Sequence, residues 1–244
     1  MHILNTIIKY AIILSAALLA LVSLLVLGLF LLYGSFDLVN LDMGIVGSLI
    51  FDVFLSALFF LQHSGMMRKK FRLWLAQFIE TKFHGFVFSI ASALVLLTIL
   101  IFWQKTPIML FSAQGMVRWL LRWAYLMIIS GFVWGALSLQ SFDPMGLFPI
   151  VNRLRGKAPA LMQLTFRGPY RWVRHPLYFF SILMIWCCPD ISADRLLFNL
   201  LWTAWIIIGA FLEERDLVAS FGDAYRHFQR QVPMLIPKSF RPLL

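Results

Sequence analysis

Long runs of apolar residues alternate with short polar segments along this chain. Four runs approach or exceed the roughly 20 residues that a helix needs to cross a bilayer, and two shorter runs follow them. The six runs cover residues 10–33, 44–62, 83–103, 119–141, 177–188 and 196–212. The first contains no charge and is longer than the core of a cleaved signal peptide. The pattern therefore predicts an all-α polytopic membrane protein with about five to six transmembrane helices.

The last two apolar runs are separated only by the polar pairs Pro189-Asp190 and Asp194-Arg195, and they predict a helical hairpin. At a rise of about 1.5 Å per residue, residues 177–188 reach only about 18 Å, whereas the hydrocarbon layer is about 30 Å thick. Either this helix begins before Pro176 or the turn of the hairpin lies below the membrane surface.

The composition supports the membrane assignment. Hydrophobic residues make up 61% of the chain and charged residues 13%, against about 45–50% and about 25% in soluble domains. The mean hydropathy is +0.84. These values exclude a disordered chain and argue against a soluble enzyme. The two cysteines, Cys187 and Cys188, are adjacent, so the sequence contains neither a disulfide framework nor a paired-cysteine metal or redox motif.

Basic residues are concentrated in two of the connecting loops. The loop after the second span has five Lys or Arg against Glu80, and the loop after the fourth has six against Asp143. The loop after the first span has Asp37 and Asp42 and no basic residue. The positive-inside rule places the basic loops, and both termini of a six-span chain, in the cytoplasm. We attribute the formal charge of +10 to basic loops that set the orientation in the membrane and contact its lipids. We predict no nucleic-acid partner.

The segments left outside the membrane are too short for a nucleotide-binding domain of ordinary size. The chain also has no glycine-rich dinucleotide fingerprint and no P-loop. We predict one integral membrane domain over residues 1–244. Residues 1–43 form its first span and outer loop, residues 44–141 form spans two to four, and residues 142–244 form the cytoplasmic loop, the hairpin and the C-terminal cytoplasmic segment.

The densest polar cluster comes directly before the hairpin. It reads Arg167-Gly168-Pro169-Tyr170-Arg171-Trp172-Val173-Arg174-His175-Pro176-Leu177-Tyr178. Pro176 suits the first position of a helix, where its missing N–H is not needed. The positive end of that helix is then a natural site for a carboxylate or phosphate. The alternative is a basic membrane anchor with interfacial aromatic residues.

Two adjacent acids, Glu213 and Glu214, follow the last apolar run. At the end of a helix they lie near its negative pole, so we expect a compensating charge. A hairpin returns this end to the side from which it left, which brings the acids near Arg174 and His175. A purely structural ion pair is the alternative. Residues 221–228 predict a short amphipathic helix ended by prolines, either beside this site or on the lipid headgroups.

Span two carries polar residues on one helical face. Asp52, Ser56, Phe59 and His63 are spaced so that they share this face. An acid inside a span is functional by default, although a buried hydrogen bond also explains Asp52. His63 is a candidate proton acceptor or substrate ligand, with a structural role as the alternative.

The ordered C-terminal motifs resemble the isoprenylcysteine carboxyl methyltransferase superfamily of membrane enzymes. The motifs are Arg174-His175-Pro176-Leu177-Tyr178, Glu213-Glu214-Arg215-Asp216-Leu217, Phe221-Gly222 with Tyr225, and Val232-Pro233 with Pro237. Further segments look like its bacterial methanethiol S-methyltransferase branch. These are Gly168-Pro169-Tyr170-Arg171, residues 142–148, Gln62-His63-Ser64 with Arg68, and Phe102-Trp103-Gln104. The chain departs from the superfamily at Phe180, where a small residue is common, and at Phe228, where a second tyrosine is expected.

The resemblance implies that S-adenosyl-L-methionine binds at the cytoplasmic face, in a cofactor pocket formed by residues 142–244. We predict no metal-binding residues. The cofactor-binding residues that it implies are Gly168, Tyr170, Arg174, His175, Pro176, Tyr178, Glu213, Glu214 and Tyr225. The catalytic candidates are His63, Arg174 and Glu214. The rings of Tyr178 and Tyr225 can stabilise a sulfonium by cation–π attraction. A thiol reacts as its thiolate, so His63 is the candidate that takes its proton or orients it.

The implied activity is methylation of a small thiol such as methanethiol to the thioether dimethyl sulfide, in the bacterial inner membrane. One alternative acceptor is lipophilic, either a prenylcysteine carboxylate or a lipid amine. Membrane proteins of nitric-oxide-reductase clusters share parts of the pattern, and membrane sterol reductases share the C-terminal architecture with a nicotinamide cofactor. A non-catalytic membrane or transport component is the alternative from another class.

Overall fold

The computed structural model describes residues 2–139, 143, 147, 150, 152, 164, 167–239 and 241–243, with side chains from residue 14 onward. Most of the 142–148 segment and the basic residues Arg153, Arg155 and Lys157 of the predicted inner loop lie outside the described residues.

The described residues form a helical protein with one small β-ribbon. The helices are α1 (His2–Tyr33), α2 (Gly44–Met67), α3 (Lys69–Leu75), α4 (His84–Phe102), α5 (Gly115–Ser138), α6 (Pro176–Trp186), α7 (Ala193–Phe221) and α8 (Asp223–Gln231). Two 3₁₀ turns cover Thr81–Phe83 and Gly168–Arg171. Strands β1 (Met109–Ser112) and β2 (Asp190–Ser192) pair antiparallel.

Five segments are long and apolar enough to cross a membrane. They are Leu14–Tyr33, Gly44–Met67, Thr81–Phe102, Gly115–Ser138 and Ala193–Phe221. Large apolar side chains on them, such as Leu61 and Leu137, are exposed, as expected for a lipid-facing surface. The sixth apolar helix, α6, has 11 residues and begins at Pro176 as its first residue. The all-α polytopic fold predicted from hydropathy is therefore confirmed.

The chain divides into two compact units. The first contains Met1–Phe30, Ser35–Lys105 and Asp143–Leu161, and the second contains Leu31–Gly34, Thr106–Phe142 and Met162–Leu244. The single integral domain proposed from the sequence stays a prediction.

In the first unit, α2 packs against α4, and the buried Asp52 fixes the chain after α4. Its carboxylate accepts a hydrogen bond of 2.9 Å from the backbone N–H of Gln104. The Gln104 amide in turn donates to the carbonyl of Val39 and accepts from the N–H of Leu41. This geometry favours the buried hydrogen bond over a catalytic role for Asp52.

In the second unit, α5 packs closely against α6 through two glycines. A Cβ added to Gly131 would lie 2.5 Å from the ring of Phe180, and one added to Gly135 would lie 3.1 Å from Leu177. The small-residue pattern of α5 thus lets the two helices approach. Phe180, the bulky departure from the superfamily, occupies the space that Gly131 leaves.

Two features of the second unit differ from the prediction. The β-ribbon joins the chain before α5 to the turn of the hairpin, where no strand was predicted. Helix α7 continues through Glu213 and Glu214 to Phe221, so these acids lie inside a helix and not at the end of one. The expected conflict with the negative end of the helix dipole was therefore wrong, because about two further turns separate the acids from that end.

Candidate functional site

The site begins at the 3₁₀ turn Gly168–Arg171, which leads into α6. Gly168 has φ +54°, and a Cβ there would collide with the hydroxyl of Ser138, so this position requires glycine. Tyr170 is buried in the turn. Burial raises the pKa of its hydroxyl, and the nearby charge of Glu213 raises it further, so the hydroxyl stays protonated.

Backbone hydrogen bonds hold the entrance of α6 against the segment that follows α8. The N–H groups of Arg174 and His175 donate to the carbonyls of Pro233 and Met234 at 2.9 and 3.1 Å. The cluster before the hairpin and the C-terminal segment therefore form one structure, as the order of the motifs predicted.

Glu214 is the centre of this structure. Its carboxylate accepts bonds from Arg174 Nε and Nη2 at 2.9 and 2.8 Å and from His175 Nε2 at 2.7 Å. The hydroxyl of Tyr225 donates to it at 2.6 Å, and the amide of Gln229 donates as well. A carboxylate offers about four lone-pair positions, so five donors saturate it. The Glu214 side chain is only 8% exposed.

Arg174 also donates hydrogen bonds to backbone carbonyls. Its Nη1 donates to the carbonyls of Gln229 and Val232. The guanidinium thus joins α7, the start of α6 and the end of α8. Charge-assisted bidentate bonds of this kind are among the strongest that proteins form, so Glu214 and Arg174 are built to hold the site together.

Helix α8 packs its apolar face on the protein. Tyr225, Phe228 and Val232 form a buried cluster against Leu217, Phe221 and neighbouring side chains. Burial raises the pKa of the Tyr225 hydroxyl, and so does its bond to the Glu214 carboxylate, so it remains a donor at neutral pH. This contact favours packing beside the site over a helix lying on the headgroups.

Glu213 points to a different set of groups. Its side chain is 46% exposed and lies 3.7 Å from His175 Nδ1. The hydroxyl of Tyr178 donates to it at 2.7 Å. The rings of His175 and Tyr178 stack with centroids 5.4 Å apart and planes inclined by 11°. An accessible carboxylate therefore stands beside a stacked aromatic pair.

The structure brings together all nine of the predicted cofactor-binding residues in the second unit. Gly168, Tyr170, Arg174, His175, Pro176, Tyr178, Glu213 and Glu214 lie at the turn, the start of α6 and the middle of α7, and Tyr225 reaches them from α8. Gln229 was missed, although it lies one helical turn after Tyr225 and therefore shares its face. Their roles toward a cofactor stay predictions.

His63 lies in the first unit, near the end of α2. Its ring lies between Phe59 and Phe88, with centroids 5.1 and 4.8 Å away. Its Nδ1 is 3.4 Å from the hydroxyl of Ser92. The imidazole is half-buried in an apolar and aromatic setting, and this packing also fits the structural role given as the alternative.

The arrangement in the second unit can bind and orient a polar ligand. An accessible carboxylate recognises ammonium or hydroxyl groups, and a stacked ring offers its face to a cation. Glu214, whose carboxylate is fully hydrogen-bonded, holds the Glu213 carboxylate and the Tyr178 ring in place, because it joins three segments of the chain.

Comparison with known proteins gives the family. The chain is 34% identical over 200 residues to a methanethiol S-methyltransferase of a Pseudomonas species, covering 78% of this chain and 74% of that protein. It is 27% identical over 191 residues to the methanethiol S-methyltransferase of Mycobacterium tuberculosis, covering 78% of each. Nurim of Rattus norvegicus is 27% identical over 196 residues, 72% of this chain and 70% of that protein.

The fold and these relatives define an integral membrane methyltransferase. Within that class, the chain belongs to the methanethiol S-methyltransferase family, the branch of the isoprenylcysteine carboxyl methyltransferase superfamily that its motifs resemble. No family model matches the chain. No solved structure matches it either.

Proposed function

We propose that this chain transfers the methyl group of S-adenosyl-L-methionine to a small thiol such as methanethiol, giving dimethyl sulfide. The observation that carries the proposal is the accessible Glu213 carboxylate beside the stacked rings of Tyr178 and His175. The names of the relatives support the acceptor.

The side chains present fit S-adenosyl-L-methionine. Glu213 is exposed enough to receive its ammonium group or ribose hydroxyls. Tyr178 keeps accessible surface for a sulfonium, whereas Tyr225 is only 2% exposed and acts through Glu214. Cation–π attraction at such a ring is worth about 2 kcal/mol when desolvated. When bound, the cofactor supplies an electrophilic methyl group.

The protein's part in this reaction is orientation. Methyl transfer needs the thiol sulfur in line with the bond that breaks, and such positioning can contribute about 7–11 kcal/mol. Glu214 and Arg174 serve this purpose because they hold α7, α8 and the start of α6 in fixed register. We assign them positioning roles.

The acceptor must lose a proton, because the thiolate is the nucleophile. We propose that His63 takes this proton while the thiol sulfur accepts the methyl group. Histidine is the side chain that most often takes a proton in catalysis, and the imidazole of His63 lies near the end of α2, next to the rings of Phe59 and Phe88.

The test is headspace gas chromatography of purified protein in detergent, given S-adenosyl-L-methionine and methanethiol. Wild type should release dimethyl sulfide, and Glu213→Gln and Tyr178→Phe should each lose at least about tenfold of the rate, as expected for one lost charge-assisted contact. Asp223→Asn is the matched control, since its carboxylate is 95% exposed and should not matter. In the same assay, full turnover of His63→Gln from pH 6 to 9 would exclude its role as base.

Two further outcomes separate the parts of the proposal. Binding of radiolabelled S-adenosyl-L-methionine without dimethyl sulfide would overturn the thiol acceptor and point to a lipophilic one. Absence of binding by folded wild-type protein would overturn the methyl donor and favour a non-catalytic role.

A further inference from the structure

A cavity lies in the first unit, among residues other than those of the carboxylate site. It has a volume of about 470 Å³ and is bounded by the end of α2, by α3 and by the start of α4. Sites for small molecules usually measure about 300–1,000 Å³, so the cavity has room for a polar headgroup. Its lining residue Phe88 also contacts His63, but among the described residues none from the carboxylate site lines the cavity.

The rim of the cavity is cationic. Lys69 and Arg72 line it, and both are exposed. Neither forms an ion pair with any residue that the structure describes. The nearby acid Glu80 is already paired with Lys82 at 2.7 Å. The cavity therefore offers two cations that lack an anion within the described part of the chain.

The inner wall and the surroundings are apolar. Phe71, Leu75 and Phe88 line the cavity. Beyond it, Trp74 on α3 and Phe78 after it expose 52% and 69% of their surface. Aromatic side chains next to lysines and arginines are typical of the membrane interface. A ligand with an anionic headgroup and an apolar chain would contact both the cationic rim and the apolar wall.

We infer that this cavity binds the phosphate headgroup of an anionic phospholipid, whose acyl chains lie along the apolar side chains of α3. Charge complementarity supports an anionic phospholipid as the ligand, because basic pockets beside transmembrane helices bind anionic headgroups. A small thiol has no acyl chains that could cover the exposed rings of Trp74 and Phe78. The inference is independent of the proposed methyl transfer.

The experiment is native mass spectrometry of delipidated full-length protein titrated with phosphatidylglycerol or phosphatidylcholine. Lys69→Gln with Arg72→Gln removes the two cations of the cavity. Arg68→Gln with Lys70→Gln is the matched control, since it removes two charges from the same segment that do not line the cavity. We expect the first pair to weaken phosphatidylglycerol binding about thirtyfold and the control pair to weaken it less than about threefold.

Three results would overturn the inference. The first is equal affinity of wild type for the two lipids. The second is an equal loss in both double variants, which would show diffuse attraction to the whole basic segment. The third is complete displacement of phosphatidylglycerol by millimolar inorganic phosphate, which would make the cavity a site for a free anion. Unchanged circular dichroism in both variants serves as the folding control.

Discussion

Glu213 and Glu214 are adjacent and chemically identical, yet they have different surroundings. Successive residues of an α-helix point about 100° apart. Glu214 therefore faces Arg174 and α8 and is 8% exposed, whereas Glu213 faces Tyr178 and is 46% exposed. The buried glutamate is saturated by its own protein, and the other has capacity for a ligand. We infer that structure and binding are divided between the two.

This division predicts unequal effects of the two substitutions on the free energy of unfolding. Glu214→Gln removes the charge that compensates the buried guanidinium of Arg174, and breaking a buried ion pair costs about 3–5 kcal/mol. Glu213→Gln keeps an oxygen that can accept from Tyr178, so its effect should stay within about 0.5 kcal/mol. Chemical unfolding in detergent micelles, followed by circular dichroism, measures both. Equal destabilisation by the two substitutions would contradict the division.

The motifs predicted which residues gather but not how the two glutamates differ. Arg174, His175 and Glu214 meet because a hairpin returns its second helix to the side from which the first began. The split between Glu213 and Glu214 depends on helix rotation and on Gln229 and Tyr225 arriving from α8. Periodicity within α7 alone does not contain that information.

At the scale of elements, the contact between α5 and α6 depends on Gly131, which has no side chain. Phe180 projects from α6 into the space above Gly131, and the ring lies where a Cβ would be. Close-packed interiors do not absorb an added methyl group without moving a neighbour. The position of α6, which carries Tyr178, therefore depends on this glycine.

Gly131→Ala should destabilise the protein by about 1–3 kcal/mol, the usual cost of overpacking. Adding Phe180→Leu should restore most of the loss, since the shorter side chain vacates the contact. Gly209→Ala on α7 is the control, because nothing lies within 4 Å of its added Cβ, and helix propensity predicts a neutral or slightly favourable change. Thermal unfolding in detergent measures all three. A loss at Gly131 that Phe180→Leu leaves unchanged would exclude the proposed collision.

Hydropathy predicted the membrane helices well because lipid requires long apolar segments with internal backbone hydrogen bonds. Hydropathy did not predict where the last long helix, α7, ends. The charges at 213–216 predicted the end of a span, but residues such as Glu, Arg and Leu favour helix in water as well, so α7 continues to Phe221. The β-ribbon was missed because β1 has four residues, and its partner β2 is distant in the sequence.

At the scale of the whole molecule, the passage of the chain through the bilayer at α6 involves more than the helix itself. Eleven residues reach about 16 Å, roughly half of the hydrocarbon thickness. Five other segments are long enough to span. Within the second unit, α6 starts beside the end of α5, and the turn after it pairs with β1, which precedes α5, so α6 and the turn together return along the length of α5. The positive-inside rule predicts the same side for the basic segment around α3 and for the segment after α8.

Labelling of single cysteines tests this topology. Cys187 and Cys188 are the only cysteines and are replaced by serine first. Leu38→Cys and Gln114→Cys should react with a membrane-impermeant maleimide in intact cells, whereas Lys70→Cys and Lys238→Cys should react only after permeabilisation. The reverse pattern at all four would show the opposite orientation. Labelling of Lys238→Cys but not Lys70→Cys in intact cells would contradict the positive-inside assignment of the segment after α8, and with it the cytoplasmic placement of the carboxylate site, because the N–H of His175 is hydrogen-bonded to Met234.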